Sequence, residues 1–408
     1  MDIDAFLSAL MFQAGYNTTI VALGALFLGL AGGMVGTFLL LRRRSLVSDA
    51  LSHATLPGVG IAFLAMAALG GTGRFLPGLL LGAALSAFAG LAVVEWLTRR
   101  TRLNADAAIG AVLSSFFGFG VVLLTVIQSA QIGQQAGIGS FLLGSTSGML
   151  RSEALMLAAL AVASAVAVFW MRRVFILVSF DETFASSTGI DIRRADLILM
   201  LLVLAVTVTG LRIVGLVLVI ALLIIPPVAA RFWTEKVDRM MLISGLIGAA
   251  AGFFGTALSA SIPNLPTGPI MVLVATAIFA VSMFFAPRRG VLSNVYRARA
   301  FSRKVHLRQG LLALHHDEMI YDPQTLRVLA AEDFIRPDGQ PTREGQSAAR
   351  RAAEEEALWT LYLNDNPDSL NRTAGMLLDP LDKRLGAGEI AALRRRLAES
   401  QPMREEWA

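Results

Sequence analysis

Eight long apolar runs leave this chain few architectures: about 18–41, 46–69, 75–97, 107–127, 154–171, 196–230, 240–260 and 267–286. Each holds around 20 residues, the length an α-helix needs to cross the hydrocarbon of a bilayer. In lipid every backbone N–H and C=O must be satisfied inside the protein, which restricts spanning segments to helices or a closed barrel, and runs this long read as helices. The run 196–230 is longer than one span needs. A break near Gly210-Leu211-Arg212 would divide it, so the sequence supports eight or nine spans. Glycines such as Gly29, Gly32, Gly33 and Gly36, or Gly245, Gly248, Gly252 and Gly255, suit close helix–helix contact in lipid.

Charge divides the chain in two. Only 16% of its residues are charged, against about a quarter in ordinary soluble domains. Residues 1–289 carry 18 Lys/Arg against 12 Asp/Glu, and the remainder 17 against 18. The net charge of +5 therefore comes from arginines flanking the spans and gives no argument for nucleic acid. Arg42-Arg43-Arg44, Arg99-Arg100, Arg172-Arg173 with Arg193-Arg194, Arg231 with Lys236 and Arg239, and Arg288-Arg289 mark cytoplasmic ends. Loops 70–74, 128–153 and 261–267 carry few charges and face outward. Nine spans then place the N-terminus outside and the C-terminus inside; eight require one re-entrant run. The start of the chain lacks a basic segment with a cleavage site and does not read as a signal peptide. Absence of cysteine excludes disulfides and thiolate metal sites. The expected division is a transmembrane domain over 1–289 and a cytoplasmic extension over 290–408. In the extension, amphipathic helices are expected at Ala348–Tyr362 and Glu389–Glu399.

Within the apolar part, Asp49 and His53 stand four residues apart, which puts them on one face of a helix. An ionisable side chain at bilayer depth is costly and usually marks a path for ions or protons. Carboxylate plus imidazole suits manganese, iron or zinc better than calcium or magnesium. The competing reading is a structural pair satisfied near the interface below Arg42–Arg44. Pro57-Gly58 is expected to break or kink the helix soon after His53. Glu95 lies one turn before Arg99 and reads as an interfacial ion pair. Ser114-Ser115 and Thr207/Thr209 read as back-bonded or packing hydroxyls. Residues 181–191 differ again: Asp181 and Glu182 precede a short Ala/Ser-rich helix ending at Gly189. Such a helix is either a handle for a cytoplasmic motor or an ordinary loop. The chain holds no G-x-x-x-x-G-K-[ST] loop, G-x-S-x-G elbow or H-E-x-x-H, and Gly144–Gly148 lacks a phosphate-binding lysine. It is expected not to be an enzyme.

Four stretches, in order, resemble the permease subunits of bacterial zinc/manganese/iron ABC importers. They are Ser48–Gly58, the loop Asp181–Ile190, Gly215–Arg231 with Pro226-Pro227, and Asn264–Pro269 with Val272–Thr276. The resemblance covers roughly 15–290. It implies a permease in the bacterial inner membrane that pairs with a second permease subunit, as a homodimer or with a paralogue. A separate ABC ATPase would dock on Asp181, Glu182, Phe184, Ala185, Gly189 and Ile190 as the coupling segment, and an extracytoplasmic metal-binding protein would deliver the cargo. Asp49 and His53 match that family's metal-coordinating pair. No cofactor is implied beyond the transported Mn²⁺, Zn²⁺ or Fe²⁺, with Mn²⁺ favoured.

The extension resembles, more faintly, a diphtheria-toxin-repressor-type winged-helix metalloregulator. Phe334–Gly339 would be the wing, Leu358–Leu363 the signature helix and 381–397 the helices after it. Leu381-Asp382-Lys383 stands where that family carries a ligating Leu-Glu-His, and a lysine cation cannot ligate. A net-neutral segment tethered to a membrane also argues against DNA as a partner. The expected fold is therefore an all-α polytopic membrane protein with a small α-rich, winged-helix-like cytoplasmic domain. The expected function is the membrane subunit of an ATP-driven metal importer. Two alternatives stand beside it: a permease for a metal chelate or siderophore, and a membrane-tethered metal sensor.

Overall fold

The computed structural model describes residues 3–13, 15–70, 75–129, 149–262, 265–366, 381–383 and 385–400. It forms two compact units, 1–293 and 294–408. In the first, a short α1 (Ile3–Leu10) is followed by α2 (Tyr16–Leu41), α3 (Ser45–Ala68), α4 (Leu76–Arg100), α5 (Ala105–Ser129) and α6 (Arg151–Phe180). Next come the one-and-a-half-turn α7 (Glu182–Ser187), then α8 (Ile192–Val214), α9 (Leu216–Trp233), α10 (Val237–Ala260) and α11 (Thr267–Phe285). Among the described residues eight helices are long and apolar enough to cross a membrane, and α9 is a shorter apolar ninth. The apolar runs of the sequence map onto these helices one to one, except that 196–230 becomes α8 and α9.

α2 is the core helix, apolar all round and buried along most of its length. It packs against α6, α8, α9 and α10, while α3 packs chiefly against α4 and α5. The α2–α10 contact is a glycine seam. A Cβ on Gly29 would stand 2.0 Å from the carbonyl oxygen of Gly248, and one on Gly33 2.3 Å from that of Ser244. Backbones this close exclude any side chain, and the Ser244 hydroxyl uses the approach to donate to the Gly33 carbonyl at 2.7 Å.

The break in the long run falls at Gly215 rather than at Gly210-Leu211-Arg212. Gly215 has φ 84°, a region that costs a side-chain-bearing residue but not glycine. Gly210 stays helical, and a Cβ on it would lie 2.6 Å from Val219 Cγ2. Nine residues of continuous helix would hold these positions about 13 Å apart, so α8 and α9 fold back on each other as a hairpin.

The second unit is built on α12 (Val291–His315), α13 (Pro323–Ala331), α14 (Arg343–Asp365), a 3₁₀ turn at Leu381–Lys383 and α15 (Ala387–Ser400). Asp322 and Thr342 cap α13 and α14 by accepting from the Thr325 and Gly345 N–H groups. Between these helices the chain makes a tight hairpin: Ile335 bridges Pro341, the Thr342 N–H donates to the Phe334 carbonyl, and Gly339 takes φ 81°. Leu311, Leu329, Ala348 and Ala349 form one small core, and Leu358, Trp359, Leu381 and Leu393 another.

Candidate functional site

α3 is buried at every position from Val47 to Gly60 except Asp49 and His53. The hydroxyls around the pair are absorbed locally: Ser48 donates to the Ser45 carbonyl, Ser52 to Ser48 and Thr55 to Ser52. They leave the carboxylate and the imidazole as the two strong ligands on an open strip. Asp49 Oδ1 lies 3.4 Å from His53 Nε2, with the side chains 35% and 21% exposed. That is long for a hydrogen bond, which runs about 2.7–3.2 Å. It equals the separation, about 3.4 Å, of two ligands on a tetrahedral ion with bonds of about 2.1 Å. The imidazole ring stands edge-on to Phe117 of α5, and its Nδ1 is buried with no partner among the described residues. No group of three or more His, Cys, Asp or Glu able to hold a metal occurs among the described residues.

Pro57 does not break the helix, which runs on to Ala68. Tertiary packing overrides the expected break: a Cβ on Gly58 would lie 2.0 Å from the Gly82 carbonyl, so α4 closes directly on this stretch. Pro57 still has no N–H to give the carbonyl of His53, one turn earlier, so that oxygen is freed from the helical ladder beside the pair. Beyond it, Pro57, Gly58 and Ile61 open on an apolar cavity of about 620 Å³ between α3, α4 and α5.

The segment 181–191 folds as the sequence patterning indicates. Asp181 caps α7 by accepting from the Phe184 N–H at 2.8 Å, and Gly189 closes it at φ 83° while the Ile190 N–H returns to the Ala185 carbonyl. Ala185 is fully buried and Ile190 packs against the core, whereas Phe184 is 54% exposed.

Arg42, read in the sequence only as part of a basic flank, and Asp196, not singled out there, anchor this helix. Arg42, at the end of α2, sends Nη1 to the Val178 carbonyl and to Glu182 Oε1, each at 2.7 Å, and Nη2 to Asp196 Oδ2 at 2.8 Å. Arg44 Nη2 reaches the same Asp196 oxygen at 3.2 Å. The Arg42 and Asp196 side chains are only 7% and 8% exposed. Burial works against the Arg42 charge, but the hydrogen bonds to Asp196 and Glu182 outweigh it and hold its pKa above the ordinary arginine value. In the sequence Arg42 is one of three arginines that the positive-inside rule explains equally well. The only available signal was Asp196, an acid just inside an apolar run.

The remaining polar positions do not join either cluster. Glu95 pairs with Arg99 at 3.4 Å, and Thr207 is buried with its hydroxyl unpartnered among the described residues. Gly144–Gly148 and Asn264 lie outside the described residues.

The signature of the ABC 3 transport family matches residues 16–286, essentially the whole helical first unit. The chain belongs to this family. It is 39% identical over 300 residues to the manganese transport system membrane protein MntC of Bacillus subtilis, covering 73% of this chain and 68% of that one. It is 41% identical over 287 residues to the zinc transport system membrane protein TroC of Treponema pallidum, covering 70% and 95%. A solved structure, PsaBC from Streptococcus pneumoniae in complex with Fab, superposes with a TM-score of 0.60 at 27% identity, over 70% of this chain and 97% of that chain. These matches cover about three quarters of the sequence or less and assign nothing to the Asp49–His53 pair.

Proposed function

We propose that this ABC 3 family chain is the membrane subunit of an ATP-driven importer of a divalent transition metal, with Mn²⁺ favoured and Zn²⁺ or Fe²⁺ the alternatives. The observation that carries the reading is the Asp49–His53 pair, set at ligand-to-ligand distance on the one open strip of a buried helix. The manganese and zinc systems of its relatives support the cargo class. Two ligands per chain leave a coordination shell incomplete, so a second permease subunit, a copy or a paralogue, faces the strip. α7 is the coupling segment gripped by a cytoplasmic ABC ATPase, which supplies the hydrolysis this chain lacks. An extracytoplasmic metal-binding protein delivers the ion. Basic residues at alternate ends of the apolar helices support an N-terminus outside and a C-terminus in the cytoplasm of a bacterial inner membrane.

Residues 290–408 form a winged-helix-like extension that serves dimerisation or contact with the ATPase rather than sensing. The hairpin between α13 and α14 supports the wing, and Lys383 in the 3₁₀ turn stands where a ligand would be needed.

The test is uptake of radioactive manganese by a complementation strain, with zinc and iron as competitors. Asp49→Ala and His53→Ala are expected to abolish uptake while assembly with the ATPase and its ATP binding persist; wild-type uptake in both sinks the proposal. One observation favours a second reading, a metal-chelate permease: the apolar cavity of about 620 Å³ beside the pair. That reading predicts uptake indifferent to Asp49 and His53 but blocked by Ala89→Phe, which narrows the cavity from an exposed position of its lining.

A further inference from the structure

We propose that Arg42 is the positioning residue through which movement of α7 reaches the metal pair. The inference rests on the reading of α7 as the coupling segment and goes beyond it by naming the link. One buried guanidinium joins three elements: the last turn of α6 through Val178, α7 through Glu182 and the second turn of α8 through Asp196. It is a planar fork of five donors, able to hold three acceptors at once in fixed directions; an ammonium is a point charge that cannot.

The other end of the link is equally stiff. Arg42 leads into α3 through a closed turn with no slack. The Arg43 N–H returns to the Leu40 carbonyl and the Arg44 N–H to Leu39, with Arg43 at φ 55°. This is the helix-ending motif normally completed by glycine. Arg44 then bonds Asp196 a second time, and its carbonyl accepts the Val47 N–H, so α3 starts from a fixed point. Asp49 lies five residues on, about 7.5 Å along the helix. A displacement of α7 that keeps the Glu182–Arg42 bond therefore drags the α2–α3 turn, and with it both ligands. Without Arg42 the Arg44–Asp196 bond still ties the start of α3 to α8, but the bond from this turn to Glu182 of α7 is gone.

The experiment uses the whole transporter, with its ATPase and binding protein, in proteoliposomes, measuring ATP hydrolysis and manganese uptake together. Arg42→Gln and Asp196→Asn are expected to lower ions transported per ATP by at least about fivefold, the lower end of ordinary coupling energies, while hydrolysis continues. Arg42→Lys recovers part of the ratio. An unchanged ratio in Arg42→Gln, whether both rates persist or fall together, overturns the proposal. Asp49→Ala serves as the control for the underlying reading: if it transports normally, the metal-pair reading fails whatever Arg42 does.

A second measurement does not depend on flux. The chain has no cysteine, so Thr183→Cys on α7 and Leu46→Cys on α3 can be spin-labelled alone. The expected intrachain distance, read in transporters diluted with unlabelled chain, stays narrow through the ATP cycle, and broadens in the Arg42→Lys background. An equally narrow distribution with lysine overturns the link.

Discussion

Replacing Gly29 with alanine tests the tightest contact in the membrane unit, because a single methyl group meets backbone that cannot rotate away. The new Cβ would stand 2.0 Å from the Gly248 carbonyl oxygen, 2.4 Å from its carbon and 3.0 Å from the Ala249 nitrogen. Reaching an ordinary contact of about 3.4 Å requires α2 and α10 to part by about 1.4 Å, and overpacking of this kind costs about 1–3 kcal/mol. The separation propagates one turn along the seam. There the Ser244–Gly33 hydrogen bond of 2.7 Å stretches beyond reach, leaving a buried hydroxyl unsatisfied at a further cost of about 1–3 kcal/mol. Alanine returns about 1 kcal/mol in helix propensity, so the net destabilisation is about 1–5 kcal/mol. Gly110→Ala on α5 is the matched control: nothing lies within 4 Å of its Cβ, so propensity alone acts and the change stabilises by about 0.5–1 kcal/mol. The assay is thermal loss of the monodisperse peak on fluorescence-detected size exclusion, with the chain purified in detergent without partners. If Gly29→Ala melts at or above Gly110→Ala, the approach of α2 to α10 is not as described and the reasoning fails.

Backbone sign gives two further outcomes in the same assay. Gly215→Ala, forced to φ 84° at the α8–α9 turn, should lower the transition by the equivalent of about 1–2 kcal/mol, whereas Arg43→Gly, which relieves φ 55°, should raise it by up to about 1 kcal/mol. In the second unit the Asp322 carboxyl is held below its usual pKa by hydrogen bonds from the Thr325 hydroxyl and then its N–H. A depressed carboxylate contributes stability that is present above its unfolded pKa, about 4, and lost as pH falls through the folded value. The difference in hydrogen-exchange protection of residues 323–331 between wild type and Asp322→Asn should therefore be full at neutral pH and shrink below about pH 4; a difference constant with pH refutes the cap's role.

What the sequence shows and hides follows from the range of the forces involved. Apolar runs of span length are local statistics, and they locate the eight helices long enough to cross to within a few residues at most ends; α6 reaches nine residues beyond its run, to Phe180, past Arg172-Arg173. The α8–α9 turn is misplaced by three to five residues because Gly210 and Gly215 look alike in an apolar run. Only the approach of Val219 reveals that Gly210 is a packing glycine and Gly215 the turning one. Asp49 and His53 are legible because four-residue spacing is itself a geometric statement. Arg42 is not, because its partners lie 136–154 residues away and nothing local distinguishes it from Arg43 or Arg44.

The i,i+4 spacing also limits how the proposed importer can release its ion. Asp49 and His53 ride on one unbroken helix, so tilting or turning α3 carries both together and leaves their mutual distance of 3.4 Å nearly unchanged. Release cannot come from pulling the pair apart. On the proposed reading it comes from parting one chain's pair from the pair on a second chain, four ligands becoming two, with water completing the shell of the departing ion. A permease holding one intact pair should then fail nearly as badly as one holding none. Mixed dimers, co-expressed with two affinity tags and purified through both, would pair a wild-type chain with an Asp49→Ala/His53→Ala chain. Uptake near zero is the expected result in proteoliposomes. Half or more of wild-type flux would mean that a single pair suffices, and the opposed-pair gate would fall while the coupling role of Arg42 stood untouched.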